Sequence, residues 1–369
     1  MKTANPTTTT TRGTTEKMSD LSLSVDCVPF SLTLTKPLSG SRGTVETRDG
    51  FLVRLSDGEK TGYGEATPLP PWTETYDECE AVLGRLVGER EGRGEDVETD
   101  GKRTPAATYA VSLAAADLEA RRRGVPLYVY LGGGGAREEV CVDVNATVGD
   151  TGVKETVRAV GEYVDEGYET VKLKVGSREL GEDVERVRRT DEAFDVRVRA
   201  DANGSWRYDD ARRFAEGVSD LDAFEYVEQP LNPDDLRAHA RLRNTTDVKV
   251  ALDESLARQT VEKIVKEDAA DYVVVKPMGV GSIEKARRVC VDARADSVVP
   301  VVSNTIETAV GRTAAAHVAA SVPVETACGL GTGALLREDL DEGGMVKDGK
   351  IRLTDTAGTG VEPEVKDAG

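Results

Sequence analysis

The sequence predicts an α/β protein: a modified (β/α)7β barrel of the TIM type behind an N-terminal α+β capping domain. From Val140 onward, apolar strand runs alternate with helical segments: CVDVNATV, ETVKLKV, VRVRADAN, FEYVEQP, VKVALDES, DYVVVKP, VPVVSN and VETACGLG. Such alternation makes a parallel sheet covered by helices, and eight strands in succession favour closure over an open sheet. Charged residues also recur at the strand ends, about one strand-plus-helix unit apart: Lys174 (with Lys172), Asp201, Glu228, Asp253 and Lys276. In a barrel, the C-terminal ends of the strands surround one point, so these distant residues converge.

The elements follow in order. Residues 1–20 are Thr-rich and aperiodic and are expected to be disordered, with Met18 as an alternative start. The capping domain spans 21–131. There LSLSVDCVPFSLTL and GFLVRLSDGEKTGYGEA read as strands with a Ser-Asp-Gly turn, and a helical pattern runs from Thr75 to about Gly88. A polar, acidic loop precedes the Ala-rich helix PAATYAVSLAAADLEARRR. The Gly132–Gly135 run is a connector, because no GK[ST] element follows it to make a phosphate loop. The barrel spans 138–335 and is expected to close with a bare eighth strand. Residues 336–369, with GMVKDGKIRL, should form a hairpin returning to the first domain.

Composition narrows the partners. A formal charge of −19 and a pI near 4.7 disfavour nucleic acid and anionic membrane surfaces. The acid excess, with 67 acidic against 48 basic residues, suits a protein solvated in high salt. The five cysteines are scattered without a CxxC pair, which predicts buried, reduced thiols and a cytoplasmic protein. No apolar run is long enough to span a bilayer, and the N-terminus has no export-type apolar region.

The strand-end residues carry the chemistry. Residues i and i+2 of a strand share a face, so Lys172 and Lys174 sit together, and neighbouring ammonium groups lower a lysine's pKa toward that of a general base. Asp201, Glu228 and Asp253 supply hard oxygen donors suited to Mg²⁺, with Mn²⁺ as a possible substitute. Zinc is disfavoured, because neither His239 nor His317 stands at a strand end. Lys276 is expected across the barrel from Lys174. A carboxylate held between two lysines beside a divalent cation is arranged for loss of its α-proton, because the second negative charge then develops where positive charge already stands.

These residues resemble the enolase superfamily, and in particular its muconate-lactonizing-enzyme subgroup. That pattern is KxK on the second barrel strand, Asp, Glu and Asp metal ligands on strands three to five, and Lys on strand six. The flanking motifs match as well: DAN at Asp201–Asn203, EQP at Glu228–Pro230, DES at Asp253–Ser255 and KP at Lys276–Pro277. The resemblance covers nearly the whole chain beyond the Thr-rich tail. The mandelate-racemase branch would carry a barrel His where VVSNTIE stands, and enolase itself arranges its bases differently. TRDGFLVRLSDGEKTGYGEATPLP, KPMGVGSIEKAR and SNTIETAVGR are similar to segments of the o-succinylbenzoate synthase family. Dipeptide epimerases carry Asp-x-Asp on the last strand, where CGLGTG stands here.

The resemblance implies a carbon–oxygen lyase: Mg²⁺-dependent syn-dehydration of a succinyl-hydroxycyclohexadiene carboxylate in menaquinone biosynthesis. It makes Lys174 the base, Lys276 the stabiliser of the enediolate and Lys172 the residue that tunes Lys174. Asn203 and Glu254 would support the metal ligands. Arg199, the backbone near Ser303 and Gly329, and Ser41 in the capping loop Ser39–Arg42 would meet the substrate. N-succinylamino-acid racemisation, dipeptide epimerisation and muconate-type cycloisomerisation stay open as alternatives, as does a barrel that binds a ligand without turnover.

Overall fold

Period-two strands at the start of the chain pair as an antiparallel meander, β1 (Ser24–Gly40), β2 (Gly43–Ser56) and β3 (Thr61–Ala66). The computed structural model describes residues 23–40, 43–70, 72–90, 103–323 and 325–365. The Thr-rich tail, Met18, Ser41 and most of the acidic loop before Pro105 lie outside them. Helices α1 (Tyr76–Arg90) and α2 (Pro105–Arg123) cover the meander, and α3 (Leu127–Tyr130) leads out of it. The Ala-rich face of α2 lies directly on β3. A Cβ at Gly62 or Gly64 would fall inside the backbone carbonyls of Ala114 and Ala110, so this close approach requires glycine at both positions.

The barrel sheet is parallel and in chain order. It comprises β5 (Ala146–Val148), β6 (Thr170–Lys174), β7 (Arg197–Asp201), β8 (Phe224–Glu228), β9 (Val250–Leu252), β10 (Tyr272–Val275) and β11 (Val299–Val302), preceded by β4 (Glu139–Asp143). The intervening helices are α4 (Val153–Asp165), α5 (Leu180–Ala193), α6 (Tyr208–Val218), α7 (Leu236–Thr245), α8 (Glu254–Arg258), α9 (Val261–Lys266), α10 (Pro277–Val280), α11 (Ile283–Ala295) and α12 (Ala309–Ala320). The eighth strand is bare. Cys328 bridges to Val144 and Gly329 to Ser303, and these two contacts close the ring between β5 and β11. Tyr226, Ala251, Tyr272, Val274 and Val301 form their own apolar cluster inside the barrel and give the site a packed floor.

Two expectations are corrected. CVDVNATV is not one barrel strand: it breaks at Val144–Asn145, and β4 pairs antiparallel with β13 (Lys350–Thr354), which pairs in turn with β12 (Val346–Lys347). The C-terminal hairpin therefore joins β4 rather than the capping sheet. The segment does return to the cap on either side of the hairpin: Leu336 bridges Leu34 of β1 and Arg337 N donates to Thr33 O at 2.9 Å, while Thr359 N donates to Asp117 at 2.6 Å and Arg121 Nη2 donates to Val361 O at 2.7 Å.

The cap is fastened to the barrel by buried carboxylates. Glu65 on β3 accepts from Thr308 N (2.9 Å), Thr308 Oγ1 (2.6 Å) and Gly311 N (2.8 Å), so it caps the N-terminus of α12 from 243 residues away. Glu307 is also buried beside it, with Oε1 accepting from Thr305 N at 3.1 Å and Oε2 lacking a hydrogen-bond partner. Burial, followed by the neighbouring Glu65 charge, pushes Glu307 up to about 8.

Among the described residues no helix is long and apolar enough to cross a membrane. All five cysteines are unpaired; Cys79, Cys290 and Cys328 are buried, but Cys141 is exposed, contrary to the expectation of uniformly buried thiols.

Candidate active site

Strand register assembles the site. Lys174 lies opposite Asp201, and Asp201 opposite Glu228. One layer below, Lys172 lies opposite Arg199, and Arg199 opposite Tyr226. Asp253 follows the end of β9 and directly precedes α8, while Lys276 follows β10 and precedes α10. The side chains form an arc of alternating charge. Lys174 Nζ donates to Asp201 Oδ2 at 2.6 Å and to Asn203 Oδ1 at 2.9 Å. Lys172 Nζ donates to both carboxylate oxygens of Glu228 at 3.0 Å and stands 3.2 Å from Asp201 Oδ2. Lys276 is ion-paired with Asp253, and its Nζ stands 4.6 Å from the centroid of the Trp72 ring.

The electrostatics depart from one expectation. Burial alone would lower the Lys172 pKa, but Glu228 and Asp201 outweigh it, so the pKa is raised and the residue is held as a cation. The same burial would raise Asp201, yet Lys174 and Lys172 bring it below the usual carboxylate range. Glu228 goes the other way: burial, then repulsion from Asp201, lifts it to about 7.

The donor set suits a hard divalent cation: three carboxylates on adjacent strand ends, with no soft ligand among them. As the side chains stand, however, lysine ammonium groups occupy those oxygens, and among the described residues no three His, Cys, Asp or Glu side chains are grouped closely enough to chelate an ion. Buried like charges separate unless a cation lies between them, and here the lysines fill that role.

Asn203 and Glu254 meet behind the carboxylates, where Asn203 Nδ2 donates to Glu254 Oε1 at 3.1 Å. Asn203 N also donates to Asp201 Oδ1 at 3.1 Å, which fixes that carboxylate's rotation. Gln229, to which sequence reasoning gave no role, accepts through Oε1 from Asp253 N (3.1 Å) and Ser255 N (3.0 Å) and ties the ends of β8 and β9 together. Its signal is the Glu-Gln-Pro motif at a strand end, where Gln229 adopts φ 38°. Trp72 was also missed; its signal is a lone aromatic after prolines in an otherwise polar loop. Arg48 holds that loop's base, donating to Thr67 O (2.7 Å), Pro68 O (3.3 Å) and Ile306 O (3.1 Å).

The expected substrate contacts fare differently. Arg199 is fully buried, and its guanidinium donates to Glu225 (2.7 Å), Asn145 (2.9 Å), Ala327 O (2.9 Å) and Thr326 (2.5 Å). It is a strut inside the barrel, with its donors already used. Ser303 N donates to Val275 O (2.9 Å) in the β10–β11 ladder and Gly329 N to Val302 O (2.8 Å) where the barrel closes, so strand pairing consumes the two amides expected to bind a carboxylate. Ser303 Oγ likewise donates to Gly329 O at 3.0 Å.

The family model described as enolase C-terminal domain-like matches residues 155–368, and the MenC N-terminal domain model matches residues 25–118. The L-Ala-D/L-Glu epimerase of Bacillus subtilis is 31% identical, over 90% of this chain and 94% of its own length. The N-succinylamino acid racemase of an Amycolatopsis species is 32% identical over 89% and 92%. The o-succinylbenzoate synthase of Escherichia coli K12 is 32% identical over 78% and 84%. The structure of the Enterococcus faecalis dipeptide epimerase, complexed with Mg and the dipeptide L-Leu-L-Tyr, superposes with a TM-score of 0.80 at 28% identity, over 92% of this chain and 98% of that one. Fold and similarity thus define a barrel enzyme with charged residues gathered at the strand ends. The chain belongs to the enolase superfamily.

Proposed function

We propose that the chain is an o-succinylbenzoate synthase, which dehydrates 2-succinyl-6-hydroxy-2,4-cyclohexadiene-1-carboxylate to 2-succinylbenzoate in menaquinone biosynthesis, in the cytoplasm. The observation that carries this reading is the arc of Asp201, Glu228 and Asp253 bounded by Lys174 and Lys276, together with a last strand, CGLGTG, that offers no acid to a substrate ammonium. The matching MenC N-terminal model and the similarity to o-succinylbenzoate synthases support it. Asp201, Glu228 and Asp253 would hold Mg²⁺, or Mn²⁺ in its place, and the ion when bound would supply Lewis-acid neutralisation of the substrate carboxylate. Lys174 Nζ takes the proton α to that carboxylate. It returns the proton on the same face to the departing hydroxyl, so that water leaves and the ring becomes aromatic. Lys276, ion-paired with Asp253, stabilises the second negative charge as it develops. Lys172 is a fixed cation beneath Glu228, and Asn203 and Glu254 keep the carboxylates oriented.

The test is ring aromatisation followed by ultraviolet absorbance with Mg²⁺ in molar salt, for the wild type and Lys174→Ala. Turnover by the wild type and its loss in the variant are expected; undiminished turnover in Lys174→Ala would remove that residue as the base. N-succinylamino acid racemisation is the second reading. It is favoured by the placement of Lys174 and Lys276 on separate carboxylates at opposite ends of the arc, as a two-base exchange requires. In that case Lys276→Arg abolishes α-proton exchange from one enantiomer only.

A further inference from the structure

A cavity of about 490 Å³ lies between the Gly132–Gly133 bend, β4, the end of α12 and Arg287 of α11. Its walls include segments that enter barrel strands: Val140–Asp143 leads to β5, and Thr326 precedes the eighth-strand residue Cys328. The carboxylate arc stands where strands end, so the cavity is separate from it.

Two guanidinium groups line this space, those of Arg137 and Arg287, and among the described residues neither makes an ion pair. Arg287 donates one hydrogen bond, from Nη2 to Gly132 O at 3.3 Å, and its buried Nε has no partner. Arg137 lies over the Tyr128 ring at 5.8 Å. Even exposed arginines such as Arg158, Arg189 and Arg212 find a carboxylate one helical turn away. The one acid in the wall, Asp143, is already ion-paired with Lys350. The end of α12 adds about half a negative charge, which two full cations outweigh. The remaining wall is small or apolar, with Val142, Ala320 and Val322.

The glycine run now has a use. A Cβ at Gly133 would stand 2.7 Å from Tyr128 O and 2.8 Å from Ser321 Cα, while Gly132, at φ +96°, would place one 3.1 Å from Arg287 Nη2. These glycines let the bend pass close to both Arg287 and the end of α12. We infer that this cavity binds a small organic anion, a carboxylate on an apolar body, held by Arg137 and Arg287. Guanidinium pairs suit carboxylates through bidentate hydrogen bonds, and the volume lies in the range of about 300–1,000 Å³ usual for ligand pockets.

The test is calorimetric titration of benzoate into the full chain at constant ionic strength, once loaded with Mg²⁺ and once with EDTA, with inorganic phosphate as the comparison anion. The expected result is one benzoate site that is indifferent to Mg²⁺ and weakened at least tenfold in both Arg287→Gln and Arg137→Gln. Turnover in the absence of benzoate should be unchanged in both variants. Arg137 is exposed, so its variant keeps the test valid should Arg287→Gln fail to fold. Absence of Mg²⁺-independent benzoate binding, or binding that survives both substitutions, overturns the site. Phosphate binding as tight as benzoate, lost in the same variants, overturns the organic ligand and leaves an adventitious ion only.

Discussion

Lys172 Nζ stands 3.0 Å from both carboxylate oxygens of Glu228 and 3.2 Å from Asp201 Oδ2. A divalent cation at those oxygens must therefore displace an ammonium group. Lys172→Met should destabilise the metal-free protein by about 3–5 kcal/mol, the usual consequence of leaving a buried charge without its partner. Added Mg²⁺ should then raise the unfolding temperature of the variant more than that of the wild type. Thermal unfolding with and without Mg²⁺ measures both; an equal Mg²⁺ increment would show that Lys172 does not compete for the site.

Trp72 carries the cap into the site through its ring, 4.6 Å from Lys276 Nζ. A cation–π contact of this kind contributes about 0.5–2 kcal/mol, so Trp72→Ala should lower kcat by about tenfold while the unfolding midpoint changes little. Trp72→Phe should recover most of the rate, because a smaller ring still presents its face. Full activity in the alanine variant would remove the contact from the reaction.

Arg199 is expected to behave as a strut. Arg199→Met leaves the Glu225 carboxylate, now paired at 2.7 Å, without its partner in a largely buried position. The expected cost is about 3–5 kcal/mol of stability, with KM unchanged in the surviving folded enzyme. A large rise in KM at unchanged stability would restore Arg199 to substrate binding.

The pH dependence of stability should carry the mark of Glu307. Its folded pKa is raised to about 8 from 4.5, so the folded state binds the extra proton between those values. Stability from this group is present in full below the unfolded pKa and is lost as pH rises through the folded one. Glu307→Gln should remove that decline between about pH 5 and 8, as read from unfolding free energies of both proteins. His317, buried and lowered to about 4, acts in the opposite sense at lower pH, so the comparison must be between variant and wild type. Parallel pH profiles would refute the assignment.

The barrel and its five strand-end positions were legible because each depends on local pattern: strand period fixes the face, and strand–helix alternation fixes the end. Asp201, Glu228 and Asp253 therefore stand at successive strand ends with Lys172, Lys174 and Lys276 on their oxygens, although among the described residues no three acidic side chains are grouped closely enough to chelate an ion. What was not legible depends on hydrogen-bond partners far away in the chain. The amides of Ser303 and Gly329 look free in a loop sequence but are used by strand pairing to β10 and β11 that only the folded ring reveals. Arg199 two places before Asp201 reads as a substrate ligand until Glu225, Asn145 and Thr326 are seen around it. Glu65, in GYGEA, reads as an ordinary strand residue, since nothing local announces that α12 lacks its own N-terminal partner for those amides. The split of CVDVNATV was hidden for the same reason, because β4 takes its partner from the C-terminal hairpin.

The carboxylate of Glu65 has a consequence for modularity. Because it completes a helix that belongs to the barrel, cap and barrel are not interchangeable parts that meet across a passive seam. A chimera that carries a relative's cap on this barrel inherits a working α12 only if the graft supplies a carboxylate at position 65 and a guanidinium at position 48. Swaps that keep this pair with Thr308 and Glu307 should yield soluble hybrids, and those that break it should leave the barrel's last long helix unfinished.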